Sequence, residues 1–220
     1  MDIFPLACLF DLDGVLVDTA KYHYLAWKLL AKELGFHFSE EDNERLKGVS
    51  RMASLEILLE VGGIDHLGEK EKVALANKKN GWYVESILKM TPDEVLPGVI
   101  EFLLEVKGAG VKMAIGSASK NTSTILERVG IGHFFDTVID GNRVSQAKPD
   151  PEVFLTGAKE LGVLPNKCLV FEDAAAGIEA AVNAGMKSVG IGNPSILNRA
   201  TIVISGFQGF TWNKIQSLIS

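Results

Sequence analysis

Short apolar runs that stop at polar or glycine-containing turns recur along the chain, at residues 6–10, 111–115, 137–139, 168–171, 188–191 and 202–204. Runs this short and this continuously apolar predict strands covered on both faces, as in a parallel sheet. Between them the apolar positions fall at helical spacing, over 99–107, 121–129, 151–161 and 174–184. Pro151 opens one of these segments, and Gly130, Gly162 and Gly185 follow three of them, which is the usual punctuation of helix starts and stops. Strands alternating with helices predict an α/β fold, a Rossmann-like doubly wound parallel sheet with right-handed crossovers.

One interval breaks the alternation. Residues 19–91 hold helical patterns and no convincing strand, although they fall between the first strand and the next. His23, Trp27, Leu30 and Leu34 share one helical stripe, and a second helix is expected from about Ser50 to the Gly62-Gly63 stop. The expected organisation is an α/β catalytic core of residues 1–18 and 92–220, with 19–91 inserted as a helical cap. Neither an internal repeat nor a low-complexity tract interrupts it.

Composition narrows the class. A chain of 220 residues can bury one substantial core, and its ordinary mix of apolar and charged residues excludes disordered and fibrous classes. A net charge of -6 with no basic run argues against nucleic acid as a partner, while a locally basic site for a small anion stays open. The start of the chain has no basic segment, and its first apolar run ends at Asp11, too early for a signal peptide or a membrane span. A cytoplasmic protein without membrane contact is the expectation, and a monomer. Cys8 and Cys168 each sit inside an apolar run, reading as buried thiols rather than a disulfide.

The candidate chemistry lies where the expected strands end, the edge at which open α/β sheets bind ligands. The first strand delivers Asp11 and Asp13, two carboxylates that repel each other unless a cation or a shared proton compensates. After the second comes Gly116-Ser117-Ala118-Ser119-Lys120-Asn121, small residues opening a helix whose N–H groups and hydroxyls suit phosphate oxygens. Lys148, held by Pro149 just before a helix, supplies a point charge for a transferring phosphoryl group. Glu172 and Asp173 follow the fourth long strand and offer the hard oxygen ligands magnesium requires. Each element alone has a plainer reading: an Asx turn, an N-cap, a surface ion pair, acids at a helix start.

Their order is more specific than any one of them. Asp11-Leu12-Asp13-Gly14, Ser117-Ala118-Ser119, Lys148-Pro149 and Glu172-Asp173 together closely resemble the haloacid dehalogenase superfamily across almost the whole core. The resemblance implies that Asp11 is a nucleophile that becomes phosphorylated and Asp13 the general acid/base. It implies that Ser117 and Lys148 hold phosphate. Mg2+ is then bound by Asp11, by the backbone carbonyl of Asp13, and by Asp173 with Glu172 acting through water.

The inserted segment narrows the resemblance further. Asp18-Thr19-Ala20-Lys21-Tyr22-His23-Tyr24-Leu25-Ala26-Trp27 and Leu46-Lys47-Gly48-Val49-Ser50-Arg51 look like the cap of the β-phosphoglucomutase family, as does Ser117 to Asn121 in the core. That likeness puts Thr19, His23, Trp27, Lys47, Gly48 and Arg51 on the hinge and cap side of a sugar-phosphate site, with Arg51 gripping the distal phosphate. Ser117, Ala118, Ser119, Lys120, Asn121 and Lys148 face them from the core. The implied reaction interconverts β-D-glucose 1-phosphate and glucose 6-phosphate through β-glucose 1,6-bisphosphate.

Two departures, Val17 where such mutases often carry Thr, and Ala174-Ala175 after Asp173, keep a sugar-phosphate phosphatase as the alternative. Dehalogenation has no need of Asp13, phosphonate hydrolysis would require a cap lysine and none stands out, and a phosphorylated switch domain would not need the long cap or Arg51.

Overall fold

The structure is a computed structural model that describes residues 5–46 and 49–219. In chain order its elements are β1 (Ala7–Phe10), α1 (Ala20–Glu33), α2 (Glu40–Glu44), α3 (Arg51–Val61), α4 (Glu69–Ile87), α5 (Val99–Gly108), β2 (Lys112–Gly116) and α6 (Thr122–Val129). There follow β3 (Thr137–Ile139), α7 (Glu152–Leu161), β4 (Cys168–Glu172), α8 (Ala175–Asn183), β5 (Lys187–Ile191), β6 (Ile202–Ile204) and α9 (Trp212–Ile219). All six expected strands form, each within a residue of its apolar run. The four core helices also form, and Gly130 and Gly162 cap α6 and α7 in the left-handed conformation.

The strands make one parallel sheet in the order β3-β2-β1-β4-β5-β6. Phe10 of β1 stands in register with Ile115 of β2 and Phe171 of β4. Winding therefore runs from β1 toward β3 on one side and toward β6 on the other, so the crevice beyond the end of β1 is the topological switch point. Side chains alternate along β1: Cys8 and Phe10 join a cluster with α5, α6 and α9, while Ala7 and Leu9 pack against α7 and α8. Because both faces are covered, every residue of β1 is buried. Phe10 stacks on Phe171 with ring centroids 4.6 Å apart and meets Phe102 edge-on, a rigid aromatic floor directly beneath the site. Cys8 and Cys168 are free, buried thiols.

Between β1 and α5 the described residues hold helices and no strand. Trp27, Leu30, Leu55, Leu58 and Ala76 form a separate apolar cluster there, whereas Ala26, Tyr83 and Ile87 join the cluster of the sheet. Two chain segments connect this unit to the sheet and pair with each other. Asp18 N–H donates to the Glu94 carbonyl at 2.9 Å, and Leu96 N–H donates to the Leu16 carbonyl at 3.0 Å. The Glu94 carboxylate also accepts from Lys21 and Tyr22, each at 2.6 Å, which fixes the first turn of α1 against the connection. Among the described residues no helix is long and apolar enough to cross a membrane.

Candidate active site

Asp11 follows the last residue of β1, yet its N–H still donates to the Phe171 carbonyl at 2.9 Å, so the sheet fixes its backbone. The next turn is tight. Gly14 has φ +80, and a Cβ there would lie 2.2 Å from Asp173 Oδ2, so only glycine lets the two acid-bearing loops come this close. Gly177 does the same for α8: a Cβ would meet the Glu172 carboxyl at 2.1 Å. Carboxylate oxygens of Asp11, Glu172 and Asp173 lie within 4.8 Å of one another, a set of hard ligands.

Lys148 is the counter-charge. Its Nζ donates to Asp11 Oδ1 at 2.6 Å and to Glu172 Oε2 at 2.8 Å, and the side chain is 1% exposed. Burial alone would lower its pKa, but the charges of Asp11 and Glu172 outweigh that and hold it well above the ordinary value, so it stays cationic. Burial raises the Glu172 carboxyl above the ordinary carboxylate range despite Lys148. Glu172 Oε1 accepts the Ala174 N–H at 3.0 Å, so this side chain is pinned at both oxygens and orients the lysine. The Lys148–Pro149 peptide is cis.

Asp13 is half-buried, and the buried Thr19 hydroxyl donates to its Oδ1. Desolvation and the nearby negative charge of Asp11 push its pKa up to about 6, against the opposing effects of Thr19 and Lys148. A carboxyl poised there can hold and release a proton near neutral pH, as a general acid/base must.

Opposite these acids the inserted helices present positive groups. Arg51, the first residue of α3, is half-buried and pairs with no carboxylate among the described residues. His23 Nδ1 lies 3.0 Å from Lys79 Nζ, and that ammonium sits 4.5 Å from the centre of the Trp27 ring. Burial, then the charges of Lys79 and Arg51, hold His23 well below its ordinary pKa, so the imidazole is neutral. Lys79 itself falls to about 7, through burial first and then Arg51, with Asp13 pulling the other way.

One cavity of about 320 Å3 gathers Asp11, Asp13, His23, Trp27, Arg51, Ser117, Ala118, Ser119, Lys120, Asn121, Lys148 and Asp173. Thr19 and Glu172 reach it through Asp13 and Lys148. Lys47 and Gly48 lie outside the described residues. The loop before α6 is held by its own hydroxyls: Ser117 Oγ accepts the Ser119 N–H, and Ser119 Oγ accepts the Asn121 N–H. Asn121 Nδ2 reaches across to Asn80 Oδ1 of α4 at 3.2 Å.

Ser54, Lys79 and Asn80 also line the cavity and were not anticipated. Lys79 corrects the expectation that no cap lysine stands out: it is 2% exposed and faces the acids. Its sequence signal was its place on the stripe Ala76, Lys79, Tyr83, Ile87, the buried residues of α4. The sequence-level objection to phosphonate hydrolysis therefore lapses.

An open parallel sheet with four acids and a lysine at its switch point, faced by helices that lie between its first two strands in the chain, defines an α/β enzyme. The chain belongs to the haloacid dehalogenase-like hydrolase family, which it matches over residues 5–185. It is 42% identical to the β-phosphoglucomutase of Bacillus subtilis (strain 168) over 90% of this chain and 88% of that protein. A phosphorylated carbohydrates phosphatase of Thermotoga maritima is 34% identical, over 83% of each chain. The crystal structure of β-phosphoglucomutase from Clostridium difficile superposes with a TM-score of 0.92 at 42% identity, covering 97% of this chain and 96% of that one.

Proposed function

We propose that this chain interconverts β-D-glucose 1-phosphate and glucose 6-phosphate, as a monomer in the cytosol, with residues 19–91 acting as a cap. The observation that carries the reading is the two-ended cavity: acids and Lys148 at the core end, and Arg51, free of any carboxylate partner among the described residues, at the cap end. A phosphatase needs only the first end. A mutase must hold a bisphosphate by both while the reacting groups exchange.

In the proposed cycle an Asp11 oxygen attacks one phosphorus of β-glucose 1,6-bisphosphate, and the bond to the sugar oxygen breaks. Asp13 gives that oxygen its proton, releasing glucose 6-phosphate and leaving an aspartyl phosphate. Incoming β-glucose 1-phosphate then loses its 6-hydroxyl proton to Asp13, and that oxygen attacks the aspartyl phosphorus. The bisphosphate is regenerated and Asp11 is freed. Lys148 stays beside Asp11 throughout as a fixed charge facing the transferring group.

Asp11, Asp173 and Glu172 suit Mg2+, because all their donors are carboxylate oxygens brought together where Gly14 permits. When bound, the ion neutralises charge between the nucleophile and the phosphoryl group. Ser117, Ser119, Lys120 and Asn121 face Arg51 across the cavity and serve as further phosphate and sugar contacts.

Sugar-phosphate hydrolysis is the second reading, favoured by the name of the Thermotoga maritima relative. Phosphorus NMR separates the two: protein, Mg2+, β-glucose 1-phosphate and a trace of bisphosphate should yield glucose 6-phosphate. Inorganic phosphate as the main product would replace the mutase with the phosphatase.

A further inference from the structure

Between β3 and α7 the chain forms one wall of the cavity, and its shape is fixed from both ends. At the β3 end, Gly141 N–H donates to the Ser119 carbonyl and Asn142 Nδ2 to the Lys120 carbonyl, each at 3.1 Å. A Cβ at position 141 would lie 2.3 Å from the Ala118 carbonyl oxygen, so glycine lets this wall rest directly on the loop before α6. At the other end, Glu152 of α7 closes back on the wall. Its Oε2 accepts the Ser145 N–H at 2.8 Å and the Gln146 N–H at 2.7 Å, and the Ser145 hydroxyl donates to the same oxygen at 3.0 Å. The Gln146 N–H leads the contacts that hold the Glu152 carboxyl below its ordinary pKa, so this clamp is anionic at neutral pH.

Glu152 does not line the cavity, but Ser145 and Gln146 do. Both ends of the cavity carry charge and suit phosphate. A hexose bisphosphate places between those ends a ring whose remaining groups are neutral hydroxyls, and these are best met by a neutral group that both donates and accepts. Four side chains of that kind on the cavity lining are already engaged. Ser117 and Ser119 accept backbone N–H groups, Asn121 donates to Asn80, and Ser145 donates to Glu152. The Gln146 carboxamide differs, because its backbone is pinned while its side chain makes no hydrogen bond among the described residues. A pinned backbone leaves less freedom to lose when a ligand binds.

The geometry points to Gln146 as a specificity-determining residue: its carboxamide binds one hydroxyl of the sugar ring, and Glu152 is the positioning residue that holds it there. The inference rests on the proposed sugar-phosphate site and names the contact that reads the sugar rather than its phosphates.

The test is Gln146→Met, which keeps the length of the side chain and removes the amide. With Mg2+ and a trace of β-glucose 1,6-bisphosphate, kcat/KM for β-glucose 1-phosphate should fall about tenfold, the scale of one hydrogen bond, with the melting temperature within about 1 °C of the parent's. The 2-, 3- and 4-deoxy analogues of β-glucose 1-phosphate then locate the contact. One of the three should be used equally well by parent and variant, since its hydroxyl is already gone, and the other two should keep the tenfold deficit. Glu152→Ala should lose the same discrimination, and Glu152→Gln, which retains an oxygen for both N–H groups, should recover most of it. A kcat/KM within twofold of the parent, an equal deficit against all three analogues, or a lower melting temperature would each overturn the role of Gln146. Glu152→Ala that discriminates like the parent would overturn the clamp. If the parent releases inorganic phosphate instead of glucose 6-phosphate, the mutase reading fails, and the same ratios read from phosphate release decide the inference separately.

Discussion

Lys148→Met removes one charge and little volume from the most tightly bound point of the site. In the parent, Nζ bridges Asp11 at 2.6 Å and Glu172 at 2.8 Å with the side chain 1% exposed. Removing one member of a buried pair costs about 3–5 kcal/mol. At about 2–4 °C per kcal/mol for a chain of this size, melting should fall by roughly 6–20 °C in the absence of divalent cations. The loss should sit toward the low end, because the raised pKa of Glu172 lets it take up a proton in place of the missing lysine. Magnesium affinity should move the opposite way. Charges of +2 and +1 on the order of 5 Å apart repel by about 1.7 kcal/mol even at the dielectric constant of water, and more inside a protein. Deleting the lysine should therefore tighten magnesium binding at least about tenfold at a pH high enough to keep Glu172 ionised. Turnover should nonetheless drop by about 10²–10³, the usual cost of losing a fixed charge or donor that faces the transition state. Calorimetric titration with Mg2+, thermal melts with and without it, and steady-state rates read all three. Magnesium binding that is unchanged or weaker, or turnover within tenfold of the parent, would refute the role assigned to Lys148.

Arg51→Ala should depress mutase turnover far more than hydrolysis of a small phosphoryl donor that has no second phosphate, because in the proposed cycle Arg51 grips the end that is not reacting. Equal losses in both assays would place it in the fold instead. Lys79 releases its proton at about 7 in the folded protein and at about 10.5 when unfolded, so the unfolded chain binds more protons between these values and stability rises with pH across that window. Lys79→Met should flatten the rise by up to about 1.4 kcal/mol per pH unit in denaturant titrations, and an unchanged slope would contradict the assignment.

The core was legible because a strand buried on both faces must be apolar throughout, and only short strands separated by punctuated helices fit the spacing. The acids and Lys148 stood out through their order after successive strands, since each alone has a plainer structural reading. The inserted helices were harder to read. Lys78 and Lys79 are adjacent and chemically alike, but one pairs with Glu33 at the surface and the other is buried over Trp27. Which of them faces the acids depends on how α4 docks against α1, a long-range contact without a local signature. Val17, noted as a departure, is buried and pairs with Val95 where the two connecting segments meet.

The central claim is that the aspartyl phosphate on Asp11 is meant for a sugar and not for water. Both acceptors must lose a proton to Asp13, so selectivity depends on when Asp13, held by Thr19, becomes available. The direct measurement is single-turnover decay of phosphoenzyme, with Asp11→Asn as the control that forms none. Added β-glucose 1-phosphate should accelerate the decay at least about a hundredfold, equivalent to roughly 2.7 kcal/mol of barrier, with the phosphate recovered as β-glucose 1,6-bisphosphate. Rapid decay to inorganic phosphate at a rate independent of sugar would contradict it.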